Sequence, residues 1–212
     1  MNIILLGAPG SGKGSTSEQL ISRKGMTQLS TGDLFRKNIA EKTALGLEAQ
    51  KFMNAGKYVP DEITNGMVED YLQTNHDNLV FDGFPRTRAQ AEALDKMLEK
   101  LGTKIDKVIY LHVDEEVLFD RLTGRLICPK CKRSYHKITR KPQVEWICDF
   151  DGAELVTRPD DAPDKIATRI DEYNNLTATL INFYQAHGKL VILDVNGLSV
   201  EAIYFDIEEV LN

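Results

Sequence analysis

No stretch of the 212 residues approaches the ~20 consecutive apolar side chains that a membrane-spanning helix requires, so a membrane role is not expected. Excess positive charge is also missing. With 26 Lys and Arg against 32 Asp and Glu, the net charge is −6, which argues against a protein whose main task is to hold a nucleic-acid backbone. Small phosphorylated ligands are not excluded, because they need only a local basic cleft. Cysteine is scarce, and its copies Cys128, Cys131 and Cys148 cluster in one short segment, unlike the dispersed disulfide framework of a secreted domain. Such clustering suggests metal binding. The start of the chain, Met1-Asn2-Ile3-Ile4-Leu5-Leu6-Gly7, lacks a basic leader and a small-residue cleavage site, so it reads as structure, and the cytoplasm is the expected compartment.

What is present fits one folded core. The length accommodates one well-cored domain with one or two small insertions, but not two large domains, and a monomer is expected. Residues 2–7 form an apolar run ended by glycine, the pattern of a strand buried on both faces of a parallel sheet, and similar runs recur at 79–82, 107–113 and 190–195. Helices are predicted over 12–24, 60–73, 87–101, 114–123 and 163–187. In the last, Ile166, Ile170, Tyr173, Leu176, Leu180 and Phe183 recur at spacings of three and four. Alternation of strand and helix predicts a doubly wound α/β fold with a parallel sheet of about five strands. Residues 30–59 and 124–161 break the alternation and read as insertions into a core made of 1–29, 60–123 and 162–212.

The segment Gly7-Ala8-Pro9-Gly10-Ser11-Gly12-Lys13 has the P-loop spacing and lies between an apolar run and a helix. Glycines allow backbone N–H groups to turn around phosphate oxygens, the following helix presents its positive end, and Lys13 adds a mobile charge. Most P-loops carry a hydroxyl directly after the lysine. Here Gly14 stands in that place, and Ser15 must supply it.

This Gly-Lys-Gly-Ser variant resembles the nucleoside monophosphate kinases, in particular the adenylate kinases, and the resemblance runs over essentially the whole chain. Ser30-Thr31-Gly32-Asp33-Leu34-Phe35-Arg36 is similar to the start of that family's AMP-binding insertion. Asp82-Gly83-Phe84-Pro85-Arg86-Thr87 resembles its second signature, and Asp160-Asp161 between Arg158 and Arg169 its third. The resemblance implies a P-loop fold with an AMP-binding insertion at 30–59 and a lid at 124–161, and reversible transfer between Mg-ATP and AMP giving two ADP. It places Gly10, Ser11, Gly12, Lys13, Gly14, Ser15, Arg121, Arg125, Ser134, Tyr135 and Ser199 on ATP. It places Thr31, Arg36, Lys57, Tyr58, Val59, Gly83, Phe84, Pro85, Arg86, Gln90, Arg158 and Arg169 on AMP. Lys13, Arg86, Arg125, Arg158 and Arg169 would be catalytic, stabilising charge spread over the transferred group. Asp82, at the end of a strand beside the P-loop, suits Mg²⁺ or its water shell, with Asp33 joining it. Gln90 would pair with an adenine edge.

Cys128 and Cys131 form a two-residue-spaced knuckle, and Cys148 and Asp151 repeat it after sixteen intervening residues. Two such knuckles can close a tetrahedral structural Zn²⁺ site, with three metal-free thiols as the plainer alternative. Adenylate kinases with a metal-bearing lid are similar. His136 is the one histidine with a second reading, as a ligand or its neighbour. A kinase for UMP, CMP or GMP is the near rival, against which Thr31, Thr87 and Gln90 weigh by resemblance. A zinc-bearing nucleic-acid or adaptor module is the rival of another class.

Overall fold

The computed structural model describes residues 1–212. Five strands, β1 (Ile3–Leu6), β2 (Thr27–Ser30), β3 (Leu79–Asp82), β4 (Lys107–His112) and β7 (Leu190–Asp194), form one parallel sheet in the order β2-β3-β1-β4-β7. Burial on both faces follows from the period-two alternation of a strand. Ile3 and Leu5 point to one side, where they meet Leu20 of α1 (Lys13–Lys24), Ile166 of α7 (Pro163–Glu172) and Ile203 of α9 (Val200–Leu211). Ile4 and Leu6 point to the other, against Val68 of α4 (Asp61–Leu72), Leu94 of α5 (Arg88–Lys100) and Leu180 of α8 (Thr179–Ala186).

Two regions stand apart from this core. Helices α2 (Thr31–Ala40) and α3 (Ala44–Asn54) form a small apolar cluster in which Phe35 and Ala49 pack with Val59 from the segment that follows α3. After α6 (Glu115–Thr123), the short antiparallel strands β5 (Arg125–Ile127) and β6 (Ser134–His136) open a lobe whose apolar cluster is Leu126, Cys128, Tyr135, Cys148 and Leu155. No helix is long and apolar enough to cross a membrane.

The predicted helix over 163–187 is interrupted. A wide π-type turn at Tyr173–Thr177, in which the Ala178 N–H donates to the Tyr173 carbonyl, separates α7 from α8. The buried face therefore uses Thr177 and Tyr184, whereas Leu176 is 38% exposed and Phe183 only partly covered. Strand β2 and helix α9 were not among the expected elements. β2 has a single fully buried residue, Leu29, and so no apolar run to betray it.

Candidate functional site

The site lies at the carboxyl ends of the strands, where β1 runs through the glycine loop into α1. Gly10 (φ +86°) and Gly12 (φ +101°) hold left-handed backbone conformations that side chains resist, and these turn the loop back on itself. Lys13 Nζ donates to the Gly7 and Ala8 carbonyls at 2.7 and 2.9 Å, drawing the ammonium across the loop. Burial pushes Lys13 down to about 8; Asp82 opposes this, while Arg86, Arg169 and Arg125 push the same way. Groups from three separate segments, 82–86, Arg125 and Arg169, thus act on one amine. A Cβ on Gly14 would lie 3.9 Å from Asp82 Oδ2, so the carboxylate faces the first turn of α1, next to Ser15. Gln28 Nε2 donates to the same oxygen at 3.1 Å.

The remaining cations are held by carboxylates at the junction of lobe and core. Arg125 Nε donates to Asp161 Oδ2 at 2.8 Å and its Nη2 to Oδ1; Arg169 Nη1 reaches the same Oδ1 at 2.8 Å and Asp160 Oδ2 at 3.2 Å. The Asp161 side chain is 3% exposed, and nothing but its place in the third signature marked it in the sequence. Arg158 is pushed down to about 10, chiefly by burial and then by Arg36 and Arg125, with Asp160 and Asp33 opposing. Arg125, Arg158 and Arg169 thus face Asp160 and Asp161, three cations against two carboxylates.

On the other side, Thr31 Oγ1 donates to the Gly83 carbonyl at 2.9 Å and Arg86 Nε to the same oxygen at 2.8 Å. Gln90 is 1% exposed and has both amide ends engaged, accepting from Arg86 N and donating to Asp61 Oδ1, each at 2.7 Å. Asp61 also accepts from Thr87 Oγ1 at 2.8 Å. The expected adenine reader is therefore also the anchor of the Arg86 turn. Arg121 lies partly buried on α6, Lys57 is exposed, and Val59 is buried in the small α2–α3 cluster.

Several of the expected residues make other contacts within the protein. Asp33 does not turn to Asp82 but binds Arg36, whose Nη2 lies 2.7 Å from its Oδ1. Burial pushes that carboxyl up, yet Arg36 and Arg158 outweigh it and the net direction is down. Tyr135, expected on ATP, turns its side chain into the lobe. Its ring is buried in the lobe, and its hydroxyl accepts from Asp149 N at 3.0 Å and lies 3.4 Å from Cys148 Sγ. Phe84, 1% exposed, and Pro85 are core residues, leaving only backbone to face a ligand. The Ser199 hydroxyl caps α9 by accepting from Ala202 N. Ser134 keeps its place on β6 opposite Ile127.

In the lobe, the ligand atoms of Cys128, Cys131, Cys148 and Asp151 all lie within 4.8 Å of one another. Cys131 Sγ and Cys148 Sγ are 3.6 Å apart, close to the ~3.8 Å that two thiolates reach across a tetrahedral Zn²⁺ with bonds of about 2.3 Å. The donor set therefore fits a metal. His136 stands outside it: its Nδ1 accepts from Ile138 N and Thr139 N, so Nε2 carries the proton and donates to the Asp120 carbonyl.

A parallel sheet in this order, with a P-loop on its central strand and a ring of arginines facing the loop lysine, defines a P-loop phosphotransferase. The comparisons with known proteins narrow the class. A family model described as adenylate kinase matches residues 5–189. The chain is 53% identical over 208 residues to an adenylate kinase of Mesoplasma florum and 49% identical over 208 residues to one of Mycoplasma capricolum, covering 98% of each chain. It is also 42% identical over 214 residues to an adenylate kinase of Bacillus subtilis, covering all of this chain and 98% of that one. The chain belongs to the adenylate kinase family. It is a nucleoside monophosphate kinase whose nucleotides are ATP, AMP and ADP.

Proposed function

We propose that this chain transfers the γ-phosphoryl group of Mg-ATP to AMP with the following division of labour. The loop Gly10 to Ser15 cradles the ATP phosphates, and Arg121 covers the base. Lys13, Arg125, Arg158 and Arg169 surround the transferred group, and Arg36 and Arg86 hold the AMP phosphate. Thr31 and Gln90 face the AMP base, Gln90 through the N–H and lone pair that its bonds to Asp61 and Arg86 leave over. Asp82, with Ser15 beside it, is the place for Mg²⁺, which when bound neutralises charge on the phosphate oxygens. One observation carries this reading: Lys13 is acted on at once by Asp82 and Arg86 from one segment and by Arg125 and Arg169, which converge on Asp161 from two others. Such convergence of cations suits a reaction whose charge spreads over three oxygens and which needs no general base.

The same reading assigns residues 30–59 to AMP and 124–161 to a lid that excludes water over the transferring group. In that lid Cys128, Cys131, Cys148 and Asp151 hold a structural Zn²⁺, since four protein donors leave no open position for substrate. The working unit in this reading is a monomer. The test is Lys13→Met. Turnover should fall by about two orders of magnitude or more while the melting temperature stays near wild type. A variant that keeps more than about a tenth of wild-type turnover would overturn the assignment of Lys13.

A further inference from the structure

The wide turn between α7 and α8 carries a polar side chain where its neighbours are apolar. Thr177 is 6% exposed, between Tyr173 and Leu180 on the buried face. Its hydroxyl lies 3.0 Å from the Arg86 carbonyl oxygen and 2.8 Å from the Tyr58 hydroxyl. A carbonyl only accepts, so the single Thr177 proton goes to Arg86. The Tyr58 hydroxyl is then the donor in the other contact. A directed chain, Tyr58 O–H to Thr177 O–H to Arg86 C=O, joins three segments that are far apart in sequence.

Arg86 is consequently tied on every side but one. Its backbone N–H donates to Gln90 Oε1, its carbonyl accepts from Thr177, and its Nε donates to the Gly83 carbonyl. Its guanidinium carbon sits 4.7 Å from the centroid of the Tyr58 ring, so the tyrosine that starts the hydroxyl chain also covers one face of the guanidinium. Only the two terminal nitrogens remain without a partner in the protein, and these are the prongs that match phosphate oxygens bidentately. Pinned at Nε and on one face, the fork has little freedom to turn away.

We propose that Tyr58 and Thr177 are positioning residues for the acceptor nucleotide, acting through Arg86 to pre-set its guanidinium for the monophosphate's phosphate group. The proposal rests on the reading of Arg86 as a ligand of that phosphate. Pre-setting lowers the ordering cost of binding, so its loss should be felt by AMP and hardly at all by ATP.

Thr177→Val keeps the volume and β-branching but removes the hydroxyl, and should raise KM for AMP about five- to tenfold with KM for ATP within about twofold of wild type. Thr177→Ser, which restores the hydroxyl, should recover most of that loss. Tyr58→Phe retains the ring and removes the donor, so it should shift KM for AMP in the same direction. The double variant Tyr58→Phe/Thr177→Val should be little worse than Thr177→Val alone, because both changes break one chain. Arg86→Ala serves as the separate control: if it leaves KM for AMP unchanged, the reading of Arg86 itself is wrong. If Arg86→Ala raises KM for AMP while Thr177→Val and Tyr58→Phe leave it within about twofold, the positioning proposal alone is overturned. Equal rises in KM for both nucleotides, or no rescue by Thr177→Ser, would also overturn it by exposing a purely structural role. Should Thr177→Val fail to fold, Tyr58→Phe, whose ring still packs under Arg86, decides between these outcomes.

Discussion

The two insertions, 30–59 proposed for AMP and 124–161 proposed as a lid, are of similar length, yet they hold their shape by different means. In the first, Ser30 and Thr43 cap α2 and α3, and Phe35, Ala49 and Val59 pack with Phe52, Met53, Ile63 and Met67. In the lid, the regular structure is two strands of three residues and one 3₁₀ turn at Pro159–Asp161, too little to be stable on its own. Several of its large apolar side chains face outward, with Ile138 75%, Phe150 65% and Val144 62% exposed. Two of the five residues in its apolar cluster are cysteines of the ligand group, and Tyr135 leans its hydroxyl on one of them. An insertion made of amphipathic helices can rest on apolar packing; one made of loops needs a cross-link, which a four-donor metal site supplies.

Three substitutions sharpen that contrast. The largest effect is expected at the joint between lid and core, where Asp161 holds both Arg125 and Arg169. Asp161→Ala leaves two partly buried guanidinium groups without their shared partner, which should cost about 3–5 kcal/mol in stability and reduce kcat at least about tenfold, read by thermal melts and steady-state assay. Next, Gly46→Ala drives a methyl to within 2.2 Å of the Asn38 carbonyl oxygen, backbone that has little room to yield. It should destabilise the AMP-side insertion by about 1–3 kcal/mol, whether or not a chelator is present. The smallest effect is that of Thr43→Ala, which removes the cap on Gly46 N–H and should cost about 1 kcal/mol, again independently of metal. Were either helical variant to become markedly more sensitive to chelation than wild type, the two insertions would not be independently supported.

The sheet and the P-loop were legible because Ile3 to Leu6 and their partner strands are continuous apolar runs ending in glycine or aspartate, and the zinc-type cluster because its spacing alone brings four donors together. Strand β2 escaped notice because Thr27-Gln28-Leu29-Ser30 is mostly polar, its pairing with β3 being settled by the sheet rather than by its own sequence. The π-type turn left no local mark either. Leu176 and Phe183 fit the ideal helical period better than Thr177 and Tyr184, and only the need to satisfy Arg86 and Tyr58 explains a buried threonine there. Side-chain direction was the least readable property: Tyr135 and Phe84 occupy positions expected at the nucleotides, but their side chains are buried in packing.

The most direct test of the contrast between the insertions is to measure metal content and calorimetric unfolding of the purified chain, with and without a strong zinc chelator, alongside Cys128→Ser. The lid requires about one Zn²⁺ per chain in the wild type, markedly less in Cys128→Ser, and a lower melting temperature on chelation that matches the metal-free variant. Activity should survive chelation well below that temperature, since the metal has no vacant position for chemistry. A wild-type protein with no stoichiometric metal, and a melting curve indifferent to the chelator, would contradict the account.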